Sequence, residues 1–119
     1  MTNATVNSVI DGLRRRYAAN LPSKVAKAAL SVSAVLAGPW NPALGDIAHR
    51  LVHSLIGSSG TYGFHELSVV ARSAERILRE AMESGRAPAS DQGILLQEIL
   101  ARLGFMARAL ADEATARVA

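Results

Sequence analysis

The sequence predicts an all-α fold, an antiparallel four-helix bundle with a short additional N-terminal helix. Half of the 119 residues are hydrophobic but only 4% are aromatic, so the core must consist mainly of aliphatic side chains and alanine, and an Ala- and Leu-rich composition favours helices. Apolar residues recur every three or four positions, and no stretch alternates apolar and polar residues as a strand would. Short connections containing proline or glycine separate these stretches, which favours antiparallel neighbours.

Length and composition restrict the organisation and the partners of the chain. We expect one domain over residues 1–119. The net charge of +3 comes from 13 basic and ten acidic residues that are dispersed along the chain, so no nucleic-acid partner is expected. The chain has no cysteine, which excludes disulfides and thiol catalysis and fits a cytoplasmic protein. No signal peptide or membrane-spanning run is found, and Met1 together with the absence of a linker-like tail favours a complete small protein.

The first two predicted helices are separated at Asn20–Pro22. The first covers Thr5 to Ala19 and is expected to pack across one end of the bundle. The second starts near Pro22, because the first turn of a helix tolerates a proline. The apolar positions of the two helices are Val6, Ile10, Leu13 and Tyr17 in the first, and Val25, Ala28, Val32 and Val35 in the second.

The third helix follows Trp40, which is expected to plug the end of the bundle. Asn41 is its predicted N-cap, and Pro42 lies in its first turn. At 100° per residue, the predicted core stripe comprises Leu44, Ile47, Ala48, Leu51, Leu55 and Ser58. His53 then lies roughly opposite the centre of this stripe and faces solvent.

Two further amphipathic helices complete the predicted bundle. The fourth runs from Phe64 to Glu83, with Glu75 among the charged residues of its solvated side. The last begins at Ser90 or Asp91. Its apolar residues alternate at three and four positions, and the bundle itself satisfies this stripe, so a monomer is expected. They are Leu96, Ile99, Leu103, Met106 and Leu110.

The surroundings of His53 indicate a docking surface for another protein. Gly57 lies one turn later on the same side, where a large side chain would lean over the imidazole. Val52 and Ile56 are predicted to form an apolar rim for the partner. An exposed neutral imidazole is a nucleophile without the help of a base. The predicted partner-binding residues are His49, Arg50, Val52, Ile56, Gly57 and Gly60.

The segment HSLIGSSGTYG, from His53 to Gly63, resembles the central motif of the histidine-containing phosphotransfer (HPt) family. That motif is a histidine, two residues, usually a basic residue, a glycine, a small pair and a further turn glycine. Tyr62 and Phe64 also resemble the family, as does LRRRYAANLPSKVAKAAL from Leu13 to Leu30. The resemblance extends over most of the chain.

The resemblance implies that His53 is the phosphoacceptor of a phosphorelay, with Nε2 as the expected phosphorylated atom. The phosphoryl donor would be a histidine kinase, a hybrid kinase or a receiver aspartate, and the acceptor the receiver domain of a response regulator. Such a phosphocarrier has no ATP site, in agreement with the absence of a phosphate-loop motif. No cofactor is expected in this chain, because the Mg²⁺ needed for transfer belongs to the partner receiver.

One position departs from the family pattern. The residue three positions after the histidine is usually basic, and here it is Ile56. A cation at this position would help to neutralise the phosphoryl group, and we expect Arg50, one turn before His53, to compensate for its loss. We further hypothesise that Ile56 selects the partner through apolar contact.

The sequence also suggests three alternatives to the phosphocarrier. An HPt-like interaction module would bind and regulate a receiver or kinase without carrying phosphate. A metal site built from Asp46, His49 and His53 is disfavoured because Arg50 follows the first histidine and one helix rarely supplies three ligands. The run from Arg14 to Arg16 suggests nucleic-acid binding, but three consecutive helical residues spread over about 200° and form no stripe.

Overall fold

The bundle contains four antiparallel helices. The computed structural model describes residues 3–116 of the chain, and its helices are α1 (Asn3–Leu36), α2 (Pro42–Thr61), α3 (His65–Ser84) and α4 (Ser90–Ala116). Each helix contacts the next one along the chain, and α4 also contacts α1. The predicted all-α four-helix bundle is therefore confirmed. Within the described residues, no helix is both long and apolar enough to cross a membrane.

The predicted break at Asn20–Pro22 is wrong, because α1 is one continuous helix with Pro22 inside it. A proline in a helix interior removes one backbone hydrogen bond and costs about 3 kcal/mol. Leu21 and Val25 are almost fully buried on either side of it. Burying each such side chain contributes about 1.5–3 kcal/mol, which is enough to offset the proline. There is accordingly no separate N-terminal helix.

The N-terminal part of α1 extends past the end of the bundle instead of packing across it. Val6, Ile10 and Leu13 continue the apolar stripe of α1, yet all three are exposed. The reason is length, since the 34 residues of α1 span about 51 Å whereas the 20 residues of α2 or α3 span about 30 Å. Burial on this stripe begins at Tyr17.

The remaining apolar stripes form one core. All four apolar positions predicted for the second helix are buried in the C-terminal part of α1. In α4, Leu96, Ile99 and Leu103 are buried, and Met106 and Leu110 are half-buried against the same core. These aliphatic predictions are confirmed.

The connections on either side of α2 hold it in place. The Asn41 side chain caps α2 by accepting hydrogen bonds from the backbone N–H groups of Ala43 and Leu44, as predicted. Trp40 packs against the core at this end of the bundle, and a Cβ atom at Gly45 would collide with the Trp40 ring. At the other end, Gly63 adopts a φ of 83°, which favours glycine and permits the tight turn into α3.

Candidate functional site

The buried face of α2 is rotated by about 80° from the predicted one. Ile47, assigned to the core by the sequence, is exposed, and Leu44, Leu51 and Ser58 are only half-buried. The residues of α2 that are buried are Gly45, Ala48, Val52, Leu55, Ile56 and Ser59. Two overlapping apolar stripes exist on this helix, and the packing of α2 between α1 and α3 selects the second.

This rotation corrects the predicted apolar rim. Val52 and Ile56 are buried in the core, so neither side chain is available to a docked protein. The hypothesis that Ile56 selects partners through surface contact is therefore wrong. The rotation also moves His53 from the middle of the solvent side to the edge that faces α3.

His53 is exposed and hydrogen-bonded at the same time. Its side chain is 69% exposed, as the prediction of a solvent-facing histidine required. Its Nδ1 atom lies 2.5 Å from Oε2 of Glu75 on α3. The sequence assigned Glu75 to the solvated side of its helix, and this assignment is wrong, since its side chain is only 10% exposed. The contact between α2 and α3 thus combines a reachable imidazole with a buried carboxylate.

The hydrogen bond to Glu75 fixes which ring nitrogen of His53 is free. A carboxylate accepts hydrogen bonds, so Nδ1–H is the donor and, in the neutral ring, Nε2 keeps its lone pair. A histidine oriented through one nitrogen by a carboxylate is the arrangement that prepares the other nitrogen for reaction. The arrangement therefore provides a nucleophile at Nε2.

Glu75 is held ionised by its neighbours. Burial alone raises the pKa of the Glu75 carboxyl, but the hydrogen bond from His53 and the charges of Arg79, His53 and His49 outweigh burial and lower this pKa below its usual range. Arg79, one turn later on α3, donates from Nη2 to Oε1 of Glu75 at 2.6 Å. One carboxylate oxygen thus faces His53 and the other is bound by Arg79.

His49 and Arg50, one turn before His53, occupy different surroundings. The His49 side chain is 23% exposed, and its Nε2 atom lies 3.7 Å from Oε2 of Glu75. The rings of His49 and His53 are stacked with their centroids 5.9 Å apart. Arg50 is exposed and pairs with Asp46 at 3.0 Å. The predicted compensation by Arg50 therefore requires it to exchange this partner for a phosphoryl group.

The glycines after His53 leave its C-terminal side open. A Cβ atom at Gly57 would meet nothing within 4 Å, and a Cβ at Gly60 would approach only Oγ of Ser68, at 3.8 Å. The surface over Gly57, one turn after His53, is therefore open. This is the geometry predicted for Gly57.

The small residues Ser58 and Ser59 connect α2 to α1 through hydrogen bonds. The Tyr17 hydroxyl is hydrogen-bonded to Oγ of Ser58 at 2.6 Å and to Oγ of Ser59 at 3.1 Å. On the other side, Oγ of Ser68 donates to the carbonyl oxygen of Ile56 at 3.0 Å. These bonds join α2 to α1 and to α3 shortly after His53. They therefore fix the position of His53 along the axis of α2 relative to Glu75.

Sequence reasoning missed Glu75 and Arg79 as site residues. Glu75 borders the apolar stripe of α3, directly after the buried Ala74, and a charged residue at such an edge often turns toward the neighbouring helix. Nothing in the sequence indicates which residue of that helix it meets. Asp46, required by the metal alternative, pairs with Arg50 instead, and residues 3–116 contain no group of three His, Cys, Asp or Glu side chains arranged to hold a metal.

Comparison with known proteins identifies a family. The family model for the Hpt domain matches residues 13–104. This range contains His53, Glu75 and Arg79. No curated protein and no solved structure matches the chain.

Proposed function

The chain belongs to the Hpt domain family, whose role is histidine phosphotransfer in two-component signalling, and on this premise we propose that His53 is its phosphoacceptor. The donor is a histidine kinase, a hybrid kinase or a receiver aspartate, and the acceptor is the receiver aspartate of a response regulator. The observation that carries the proposal is the hydrogen bond between His53 Nδ1 and the buried Glu75 carboxylate, on a ring that is 69% exposed.

The reaction uses the lone pair on Nε2. In the forward direction Nε2 attacks the phosphorus atom of the receiver's aspartyl phosphate, an N–P bond forms, the P–O bond breaks, and the aspartate carboxylate departs. The imidazole becomes positively charged as the bond forms, and the Glu75 carboxylate stabilises this charge through Nδ1–H. Transfer to the next receiver is the reverse reaction. The partner supplies the Mg²⁺ that stabilises the phosphoryl group.

Arg79 and Gly57 support this reaction in different ways. Arg79 holds Oε1 of Glu75, which leaves Oε2 for His53 and restricts the rotation of the carboxylate. Gly57 leaves open space beside the ring, so a receiver can bring its aspartate in line with Nε2. Arg79 is therefore a positioning residue, and Gly57 provides access.

Phosphoryl transfer to the purified protein tests the proposal. A panel of receiver domains, phosphorylated by a small-molecule donor in Mg²⁺, is mixed with the wild type and with His53→Gln. We expect an acid-labile, base-stable label on the wild type and none on His53→Gln. His65→Gln is the matched control, because His65 is exposed at the start of α3 and belongs to no part of the site, and it should be labelled like the wild type.

Two outcomes would contradict the proposal. A label that persists in His53→Gln would place the phosphoacceptor elsewhere. Binding of receivers without any label on the wild type would establish the alternative, an interaction module that regulates its partner without carrying phosphate. This alternative rests on the absence of a basic residue at position 56.

A further inference from the structure

His49 contains an unsatisfied buried atom next to the proposed site. Its Nε2 is buried and makes no hydrogen bond within the described part of the chain. A buried polar nitrogen without a partner costs about 1–3 kcal/mol. The nearest acidic atom is Oε2 of Glu75 at 3.7 Å, about 0.8 Å beyond an ordinary N–H···O hydrogen bond. A small shift of the carboxylate is therefore sufficient to form this bond.

The same oxygen already serves His53. Oε2 of Glu75 lies 2.5 Å from His53 Nδ1, while Arg79 holds Oε1 at 2.6 Å. The two imidazoles stand one turn apart on α2, with planes only 19° from parallel. With Oε1 fixed by Arg79, movement of Oε2 toward His49 lengthens its bond to His53. The geometry makes the two histidines competing donors for one acceptor.

We infer that His49 is a positioning residue whose protonation state decides whether Glu75 orients His53. When Nε2 of His49 carries no proton, Oε2 stays with His53, and the structure shows this hydrogen-bond pattern. Protonated His49 is a charge-assisted donor, which forms a shorter and stronger bond than a neutral one, and draws Oε2 toward itself. The bond from His53 Nδ1–H to Oε2 then lengthens and weakens, the tautomer of His53 is held less firmly, and phosphoryl transfer slows.

The other charged groups around His49 do not replace this competition. On α3 the charged group near His49 is Glu75, which is also bound to Arg79. On its own helix the charged neighbours are Asp46 and Arg50, which also form a pair with each other. Among residues 3–116, no ion pair joins His49 to α1 or α4. Glu75 is therefore the acid group that a protonated His49 engages.

The expected consequence is that transfer falls more steeply with acid in the wild type than in a variant whose residue 49 has no ionisable group.

The pH profile of His53 phosphorylation tests this inference, which rests on the proposed function. Phosphoramidate serves as the donor, so the profile does not depend on the titration of a protein partner. Rates for the wild type, His49→Gln and the control His65→Gln are measured from pH 5 to pH 8 and normalised at pH 8. Glutamine can donate a hydrogen bond from position 49 but does not titrate. We expect a shallower acid limb for His49→Gln and an unchanged one for His65→Gln.

The failures of the inference and of the proposed function are distinguishable. Equal acid limbs for the wild type and His49→Gln, with His53 labelled in both, would overturn the inference alone. An equally shallow limb for His65→Gln would also overturn it, because the effect would not be specific to His49. A merely structural role of His49 would lower the rate at every pH without changing the shape of the profile. The absence of label on His53 in every protein at every pH would overturn the proposed function.

Discussion

The contact between α2 and α3 and the contact between α1 and α4 are built alike but differ in chemistry. The first holds a buried carboxylate with two histidines and an arginine around it. The second includes a groove lined mostly by small and aliphatic residues, where Arg108 is the one charged residue among the described residues. A buried carboxylate requires donors that compensate for its lost hydration, and only the first contact supplies them. The same antiparallel packing thus holds the proposed reaction site on one side of the bundle, and on the other side we expect it to serve stability.

Leu100→Ala tests whether the contact between α1 and α4 serves stability alone. Leu100 is buried in α4 and lines the groove against α1. Truncating such a leucine should lower the free energy of unfolding by about 2–5 kcal/mol, because it leaves a cavity. The rate of His53 phosphorylation per folded molecule should not change. Urea unfolding followed by circular dichroism gives the first quantity, and initial labelling rates give the second.

The matched control for this change is Leu95→Ala, at an exposed position of α4. Leu95→Ala should change the free energy of unfolding by less than about 1 kcal/mol. If Leu100→Ala slowed phosphorylation of the folded protein severalfold, the two contacts would not be functionally separate.

Glu75→Met tests the opposite claim for the contact between α2 and α3. Methionine preserves the volume but accepts no useful hydrogen bond, so His53 Nδ1–H loses its partner. Carboxylates that orient a metal-bound imidazole contribute about 10- to 100-fold, and we expect a loss of similar size here in the rate of transfer from a phosphorylated receiver. Glu75→Gln should lose less, since its amide oxygen still accepts from Nδ1–H.

Glu98→Gln is the control, because Glu98 is an exposed acid on α4, and it should transfer at the wild-type rate. Wild-type transfer by Glu75→Met would show that the hydrogen bond does not orient His53.

The dependence of stability on pH distinguishes the two contacts further. The pKa of Glu75 is lower in the folded protein than its ordinary value, which is about 4.3. The ionised Glu75 carboxylate therefore makes its full contribution to the free energy of unfolding at pH values above the ordinary pKa. This contribution is lost as the pH falls through the lowered pKa of the folded protein. Wild type and Glu75→Gln should thus converge in stability as the pH falls below about 4, while Leu100→Ala stays below the wild type throughout. Urea titrations at pH 5, 4 and 3 measure this, and a gap to Glu75→Gln that widens from pH 5 to pH 3 would contradict the assignment.

Alanine substitutions at two glycines, one on α2 and one on α4, should have the smallest effects on stability. A Cβ atom at Gly57 meets nothing within 4 Å, whereas one at Gly104 would lie 3.3 Å from a guanidinium nitrogen of Arg108. Gly57→Ala should therefore stabilise the protein by up to about 1 kcal/mol through helix propensity, and Gly104→Ala by less. Thermal unfolding compares the two variants. Destabilisation by Gly57→Ala would show that the space beside His53 is not open.

The aliphatic part of the fold follows from the sequence to a large extent. The spacing of Val25, Val32, Leu96 and Leu103 identified buried residues correctly, because a helix with one apolar stripe in a bundle has one way to bury it. The predictions of the break at Pro22 and of the buried face of α2 were wrong, because the sequence is compatible with two structures at each place. Pro22 fits a first turn as well as an interior position that packing stabilises, and α2 has two overlapping stripes between which only its neighbours decide.

The sequence by itself determined the helical class, the cap at Asn41, the exposed His53 and the open position at Gly57, since each depends on periodicity or on local backbone chemistry. Only the tertiary structure decided the rotation of α2, the burial of Val52 and Ile56, and the meeting of His53 with Glu75 across 22 positions of sequence. The physical reason is that a hydrogen bond between two helices depends on the rotation and height of both. Those are set by the packing of the whole core and not by any local pattern.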